Sequence, residues 1–311
     1  MNIQKQVSLS DKNWFGTGGA AQYYCEPTTA QEFKKALAFA QENNFEQFVL
    51  GLGANILISD DGFDGLVIRP QLKEITHEQQ NDNAHVTAGA GVTIQELINY
   101  CLEHNIIGLE EFSGIPGTVG GSLFINIHYF QYLLGTFVLS ADVIDKSTGA
   151  INTVDQAWLH FGYEQSQLNT KTHYVVQATF KLKSVNDLET AYARGRSQEI
   201  IRHRMARYPY KGTCGCFFRN FHDNEVTLTS NGKKMTYSSY YFDKLGIKGE
   251  LAHGDAQVSY QHANMIVNTG SATSGDIIAV AHTMQELVYD RFGIMPQPEC
   301  QLIGFKKYPL L

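Results

Sequence analysis

SGIPGTVGGSLF, residues 113–124, carries four glycines in twelve positions, and its reading decides the fold. Glycine lets the backbone approach a ligand closely and adopt positive φ, so successive N–H groups can converge on an anion. A second such stretch, GLGANIL at 51–57, follows directly on the strand pattern EQFVLGLG (46–53). Neither is a P-loop, because no Gly-Lys-Ser/Thr follows. Neither completes the dinucleotide fingerprint: Gly51 and Gly53 match its start, but Ile56 and Leu57 stand where the third glycine should lie. Each stretch alone reads equally well as a tight turn. Two in one lobe point to a nucleotide cofactor.

Composition narrows the alternatives. At 311 residues the chain is long enough for two domains. Its net charge is −7 and no Lys/Arg run stands out, which argues against nucleic acid as a partner. The N-terminus, MNIQKQVSLSDKNWF, has no apolar core of a signal peptide, and no stretch reads as a membrane span. Cys25, Cys101, Cys214, Cys216 and Cys300 form no regular framework, so reduced thiols and a cytoplasmic location are expected.

Outward from the glycines, FDGLVIRP (63–70) reads as a further strand. PTTAQEFKKALAFAQENN places Thr28 and Gln31 at capping-box spacing, and GVTIQELINYCLEHN places Thr93 and Glu96 likewise, so each predicts an amphipathic helix. THYVVQATFKLK (172–183) alternates, with Tyr174, Val176, Ala178, Phe180 and Leu182 on one face of a strand. A helix pattern then runs to Pro209, and a domain boundary is expected near residue 185. SNGKK (230–234) reads as a hairpin turn. The last long helix should turn Ile277, Ile278, Ala281, Met284, Leu287 and Val288 inward.

NWFGTGG (13–19), GLGANILISDDGFDGLVI (51–68) and LEEFSGIPGTVGGSLFIN (109–126) resemble the flavin-binding signatures of the UDP-N-acetylenolpyruvoylglucosamine reductase family (UDP-N-acetylmuramate dehydrogenases of bacterial cell-wall synthesis). The likeness continues in order through FGYEQS (161–166), TCGCFFRN (213–220), GDAQVSYQHANMIVN (254–268) and FGIMPQPECQLIG (292–304). It implies an α+β protein: an FAD-binding lobe of the vanillyl-alcohol-oxidase (PCMH) type over 1–185, then a smaller C-terminal α/β substrate-binding lobe over 186–311. The implied cofactors are FAD and NADPH, and the implied substrate is UDP-N-acetylglucosamine enolpyruvate. By the same resemblance Gly51, Gly53, Ala54 and Asn55 line the FAD pyrophosphate, with Ala54 where the family usually has serine. Gly114, Ile115, Gly117, Thr118, Gly120 and Gly121 pack against the rest of the cofactor.

The two cysteines of TCGCFFRN raise a separate question. C-x-C with no second cysteine pair is a poor start for a structural metal, so no metal is expected. A Cys214–Cys216 disulfide would close a very tight ring. Both can also be small core residues. The resemblance places Cys216 where the family carries its catalytic serine and matches Asn220 to a motif asparagine. A thiol, with a reference pKa of about 8.5, is a stronger acid than a hydroxyl and mostly protonated at neutral pH. It can therefore supply the proton that hydride addition to the enolpyruvyl group requires. Glu299 matches the family's C-terminal catalytic glutamate. Arg204 and Arg207, three apart on one helical face, suit carboxylate or diphosphate oxygens of the substrate.

Two stretches depart from the family pattern. FGYEQS has Tyr163-Glu164 where Tyr-Arg is usual; Tyr163 is kept as a site residue, but an anion at 164 opposes a developing negative charge. NIHYFQYLLGTF (126–137) puts His128 and Tyr129 where small residues are expected. These departures sustain an alternative, an FAD-dependent oxidase or dehydrogenase of another small alcohol or sugar.

Overall fold

The structure is a computed structural model and describes residues 1–230 and 232–311. The chain opens with β1 (Gln4–Ser8) and β2 (Ala20–Cys25), followed by α1 (Ala30–Glu42), β3 (Glu46–Val49), β4 (Ile56–Ile58) and β5 (Phe63–Ile68). The pair β6 (Ile75–Gln80) and β7 (Asn83–Gly89) leads to α2 (Ile94–Glu103), β8 (Ile106–Ile107) and the short α3 (Val119–Phe124). Then come β9 (His128–Tyr129), β10 (Tyr132–Leu133), β11 (Val138–Asp145), β12 (Ile151–Asp155), β13 (His173–Ser184) and α4 (Asp187–Arg207). The rest comprises β14 (Thr229–Ser230), β15 (Lys233–Lys234), α5 (Ser238–Leu245), β16 (Ala252–His253), β17 (Ala256–Val258), β18 (Ile266–Asn268), α6 (Ser274–Phe292) and β19 (Gln301–Ile303). No described helix is long and apolar enough to cross a membrane.

These elements form two compact units. The first takes Met1–Lys5, Tyr23–Leu52 and Gly65–Arg204. Its centre is an antiparallel sheet in the order β12-β11-β13-β7-β6, with β8 also on β13. The alternation read in β13 holds: Val176, Ala178, Phe180 and Leu182 are buried, while Lys181 and Lys183 face out. Helix α1 buries Phe33, Ala36, Leu37 and Ala40 in the same core as β13. Full burial of a side chain such as Phe33 is worth roughly 1.5–3 kcal/mol. The α1 cap lies one residue beyond the expected Thr28: Thr29 Oγ1 accepts from Glu32 N at 3.1 Å. The Glu32 carboxylate instead reaches back to Thr28 N and Oγ1. Helix α2 carries the expected Thr93–Glu96 capping box.

The second unit takes Gln6–Gln22, Gly53–Asp64 and Met205–Leu311. Its core joins Phe15 and Leu57 to Phe217, Phe218, Tyr241, Phe242 and the inner face of α6. Strand β19 pairs in parallel with β4, so the C-terminal segment is tied to residues 56–58. Helix α6 buries Ile277, Val280, Ala281, Met284, Gln285 and Val288, whereas Ile278 and Leu287 are half-buried. Gln285 owes its place to hydrogen bonds: Nε2 donates to Pro296 O at 2.7 Å, and Oε1 accepts from Leu311 N at 3.0 Å. Strands β14 and β15 pair antiparallel around the expected 230–234 turn, of which Asn231 lies outside the described residues.

Helix α4 belongs to the first unit as far as Arg204, because it packs and hydrogen-bonds there. Ala193 joins the first core, Ser197 Oγ is 2.7 Å from Ser113 Oγ, and Arg194 donates to Leu102 O at 2.6 Å.

Candidate active site

In the first unit the loop 113–121 is pinned to residues 90–94. Gly120 N donates to Ala90 O, Val119 N to Val92 O, and Ile94 N to Gly117 O. Thr118 caps α3, its Oγ1 accepting from Gly121 N at 3.4 Å. The glycines are needed for space. A Cβ on Gly51 would stand 2.7 Å from Thr118 Oγ1, and one on Gly117 would stand 2.9 Å from Ser122 Oγ. The structure thus brings Gly51 against the Thr118 side chain. Ser122 Oγ is buried with no hydrogen-bond partner among the described residues.

Gly53, Ala54 and Asn55 lie in the second unit, with Gly53 on NWFGTGG. Gly53 O accepts from Trp14 N at 2.9 Å. Gly53 has φ +69°, and a Cβ there would fall 2.6 Å from both Lys12 O and Asn13 Cα. Asn13 holds its own turn, donating to Leu9 O and Thr17 O and accepting from Gly16 N. Asn55 has both amide atoms buried and unpartnered among the described residues. An unpaired buried polar group costs about 1–3 kcal/mol. A buried amide left without a partner fits a phosphate-bearing cofactor like FAD, which takes hydrogen bonds from amides and hydroxyls.

The stretches that depart from the family pattern meet in the first unit. His128 and Tyr163 pack ring against ring, with centroids 4.7 Å apart. Burial lowers the His128 pKa, favouring the neutral imidazole. Tyr163 is 48% exposed. Glu164 sits at φ +54° in a turn closed by Gly162 N donating to Gln165 O at 2.9 Å. At the end of α4, Arg204 Nε donates to Gly114 O at 3.2 Å. Arg207 is exposed, its guanidinium 5.8 Å from the Tyr208 ring centroid.

In the second unit the cysteine motif is held between two segments. Cys216 bridges to Met265, and Phe218 to Pro298. Glu299 N and Cys300 N both donate to Phe217 O, at 2.9 and 3.3 Å. The structure therefore brings the segments of Cys216 and Glu299 side by side. Cys216 is half-buried, Cys214 is buried, and all five cysteines are free of disulfides. Burial, and next the neighbouring Cys300 thiol, pushes the Cys214 pKa well up and keeps that thiol protonated. Asn220 Oδ1 accepts from Ser238 N at 3.2 Å, at the start of α5. Arg219 pairs with both oxygens of Glu225 at 2.7 Å.

The residue that sequence reading missed is Asn264, which is 2% exposed. Its Oδ1 accepts from Phe218 N at 3.1 Å, and its Nδ2 donates to Phe218 O at 2.7 Å and Ser238 Oγ at 2.9 Å. Its backbone O also accepts from Phe217 N. One side chain thus fixes the segment that carries Cys216. Its signal was a lone amide between Ala263 and Met265 in an apolar run.

Taken together, fold and site define a flavoprotein class, an FAD-binding domain joined to a second α/β unit. A family profile described as "FAD binding domain" matches residues 21–155. Another, "UDP-N-acetylenolpyruvoylglucosamine reductase, C-terminal domain", matches 207–303. The chain is 32% identical to the UDP-N-acetylenolpyruvoylglucosamine reductase of Nostoc sp. (strain PCC 7120), over 97% of this chain and 86% of that one. It is 33% identical to that of Synechococcus sp. (strain WH7803), over 98% and 94%. The crystal structure of the Thermus caldophilus reductase superposes with a TM-score of 0.77 at 26% identity, covering 97% and 99% of the two chains. The chain belongs to the UDP-N-acetylenolpyruvoylglucosamine reductase family.

Proposed function

We propose that this protein reduces the enolpyruvyl double bond of UDP-N-acetylglucosamine enolpyruvate with electrons from NADPH, giving UDP-N-acetylmuramate for cell-wall synthesis in the cytoplasm. The observation that carries the reading is identity to named reductases over 97% of the chain, across both the FAD-binding and the C-terminal matches. FAD, once held by these residues, would supply the hydride chemistry between NADPH and the enolpyruvyl group.

The chain's residues supply binding, charge and the proton. Gly51, Gly53, Ala54 and Asn55 hold the pyrophosphate of FAD, and Gly114, Ile115, Gly117, Thr118, Gly120 and Gly121 hold the rest. The buried, unpartnered Asn55 amide supports this assignment. Hydride addition at C3 leaves negative charge that needs a proton at C2, and Cys216 donates it. Glu299 assists from the neighbouring segment, and Tyr163 helps form the site. Arg204, Arg207 and Asn220 bind the nucleotide sugar. In this division of labour residues 1–185 serve the cofactor and 186–311 the substrate.

Single-turnover absorbance spectroscopy tests the reading. The flavin is reduced with NADPH in the absence of oxygen, and the UDP-enolpyruvyl sugar is then added. Rapid return of the oxidised spectrum with formation of UDP-N-acetylmuramate is the expected result. A flavin that bleaches with NADPH and stays bleached would overturn the substrate assignment.

A further inference from the structure

Tyr129, on the departing stretch 126–137, is 8% exposed and reaches the end of α4 at two places. Its hydroxyl lies 3.1 Å from His203 Nδ1, and its ring lies against the next residue, with Arg204 Cζ 5.6 Å from the ring centroid. Arg204 is anchored a second time through Nε to Gly114 O at 3.2 Å. A Cβ on Gly114 would stand 3.4 Å from Arg204 Cδ, so the side chain lies along the glycine loop. A guanidinium is planar and stacks on aromatic faces, which an ammonium does less well. An arginine already held between a ring and a carbonyl loses less rotamer freedom when an anion binds it.

We propose that Tyr129 is a positioning residue: its ring seats Arg204 against the glycine loop, pre-orienting the guanidinium for a phosphate or carboxylate of the nucleotide sugar. The hydroxyl, held at His203, fixes the ring. The proposal rests on the reading of Arg204 as a substrate-binding residue.

The test is a double-mutant cycle on binding of the UDP-enolpyruvyl sugar to the oxidised, FAD-loaded enzyme without NADPH, where no turnover occurs. Calorimetry gives the Kd, and flavin absorbance checks that FAD content is unchanged. Arg204→Leu is expected to weaken binding at least about tenfold, as for a charged hydrogen bond. Tyr129→Leu is expected to weaken it roughly five- to tenfold, within the range of a cation–π contact. Tyr129→Phe, which keeps the ring, is expected to stay within about threefold. Because Tyr129 acts through Arg204, Tyr129→Leu adds no further loss in the Arg204→Leu background. In steady state the loss falls on KM, with kcat nearly unchanged. Tyr129→Met replaces the leucine variant in the same cycle if that variant does not fold.

Equal losses from Tyr129→Leu in both backgrounds would reduce Tyr129 to a packing residue and overturn the proposal while leaving Arg204 as a binding residue. Wild-type affinity in Tyr129→Leu with weakened Arg204→Leu would do the same. Wild-type affinity in Arg204→Leu would overturn the reading of Arg204 itself, and the proposal with it.

Discussion

Glu299 donates its backbone N–H to the carbonyl of Phe217 at 2.9 Å, one residue beyond Cys216. The proposed proton donor and its partner glutamate therefore ride on paired segments. Their spacing is set by main-chain bonds, which substitution of either side chain leaves in place. Cys216→Ala should slow flavin reoxidation by the UDP-enolpyruvyl sugar about 10²–10⁴-fold, the usual share of a general acid. NADPH should still bleach the flavin at the wild-type rate. Cys216→Ser should retain activity within roughly tenfold of wild type, since a hydroxyl can replace the thiol as donor. Wild-type reoxidation in the alanine variant would remove Cys216 from the reaction.

Gly53 tests the cofactor loop. At φ +69°, any other residue pays about 1–2 kcal/mol for the left-handed backbone. The added Cβ would also meet Lys12 O and Asn13 Cα at 2.6 Å, and main-chain atoms yield less readily than a side-chain tip. Gly53→Ala should lower both the melting temperature and the ratio of bound FAD to protein. A variant that melts at the wild-type temperature with full FAD content would show that Lys12–Asn13 shifts without cost.

Asn264 is the better test of how the cysteine segment is held. Asn264→Leu removes the three side-chain hydrogen bonds to Phe218 N, Phe218 O and Ser238 Oγ. Each buried group left unsatisfied costs about 1–3 kcal/mol. The expected result is a loss of stability in denaturant titration of roughly 3 kcal/mol or more. The slowed reoxidation of the Cys216→Ala variant should appear here too, with bleaching by NADPH intact. Unchanged turnover in a folded, destabilised variant would separate the anchor from the chemistry.

These sites differ in how legible they were. The glycine loops, the Thr93–Glu96 box and the β13 alternation are local patterns, written at spacings of two to four residues, and the structure carries them. The Asn264 anchor acts across 46 residues of chain, and no periodicity reports a hydrogen bond of that span. Gln285 looked polar in sequence yet is fully buried, because Pro296 O and Leu311 N satisfy it. The compact units were hidden for the same reason. Within residues 53–64, Ile56–Ile58 pair with β19 near the far end of the chain, a partnership set by tertiary packing. The ordered motifs identified the family without needing any of this, since likeness to relatives is read along the chain.

The pair Arg219–Glu225, next to Asn220, gives a pH-dependent prediction. Arg219 above all, through its side-chain hydrogen bonds at 2.7 Å, lowers the Glu225 pKa to about 2. The unfolded value is near 4.3, so between about pH 4.3 and 2 the folded chain binds fewer protons here than the unfolded chain. The stabilisation is therefore complete above about pH 5 and is lost as pH falls through about 2. Both side chains are part-exposed, so solvent screening keeps the contribution near 1 kcal/mol or below. Glu225→Gln keeps an acceptor but not the charge. Wild type should melt above this variant at neutral pH, and the gap should close steadily from about pH 5 to about pH 2. Other carboxylates titrate in both proteins, so the difference between them isolates this one. A gap that stays constant down to acid pH would mean that the charge on Glu225 contributes nothing and that Arg219 is held by its bond to Asn220 O.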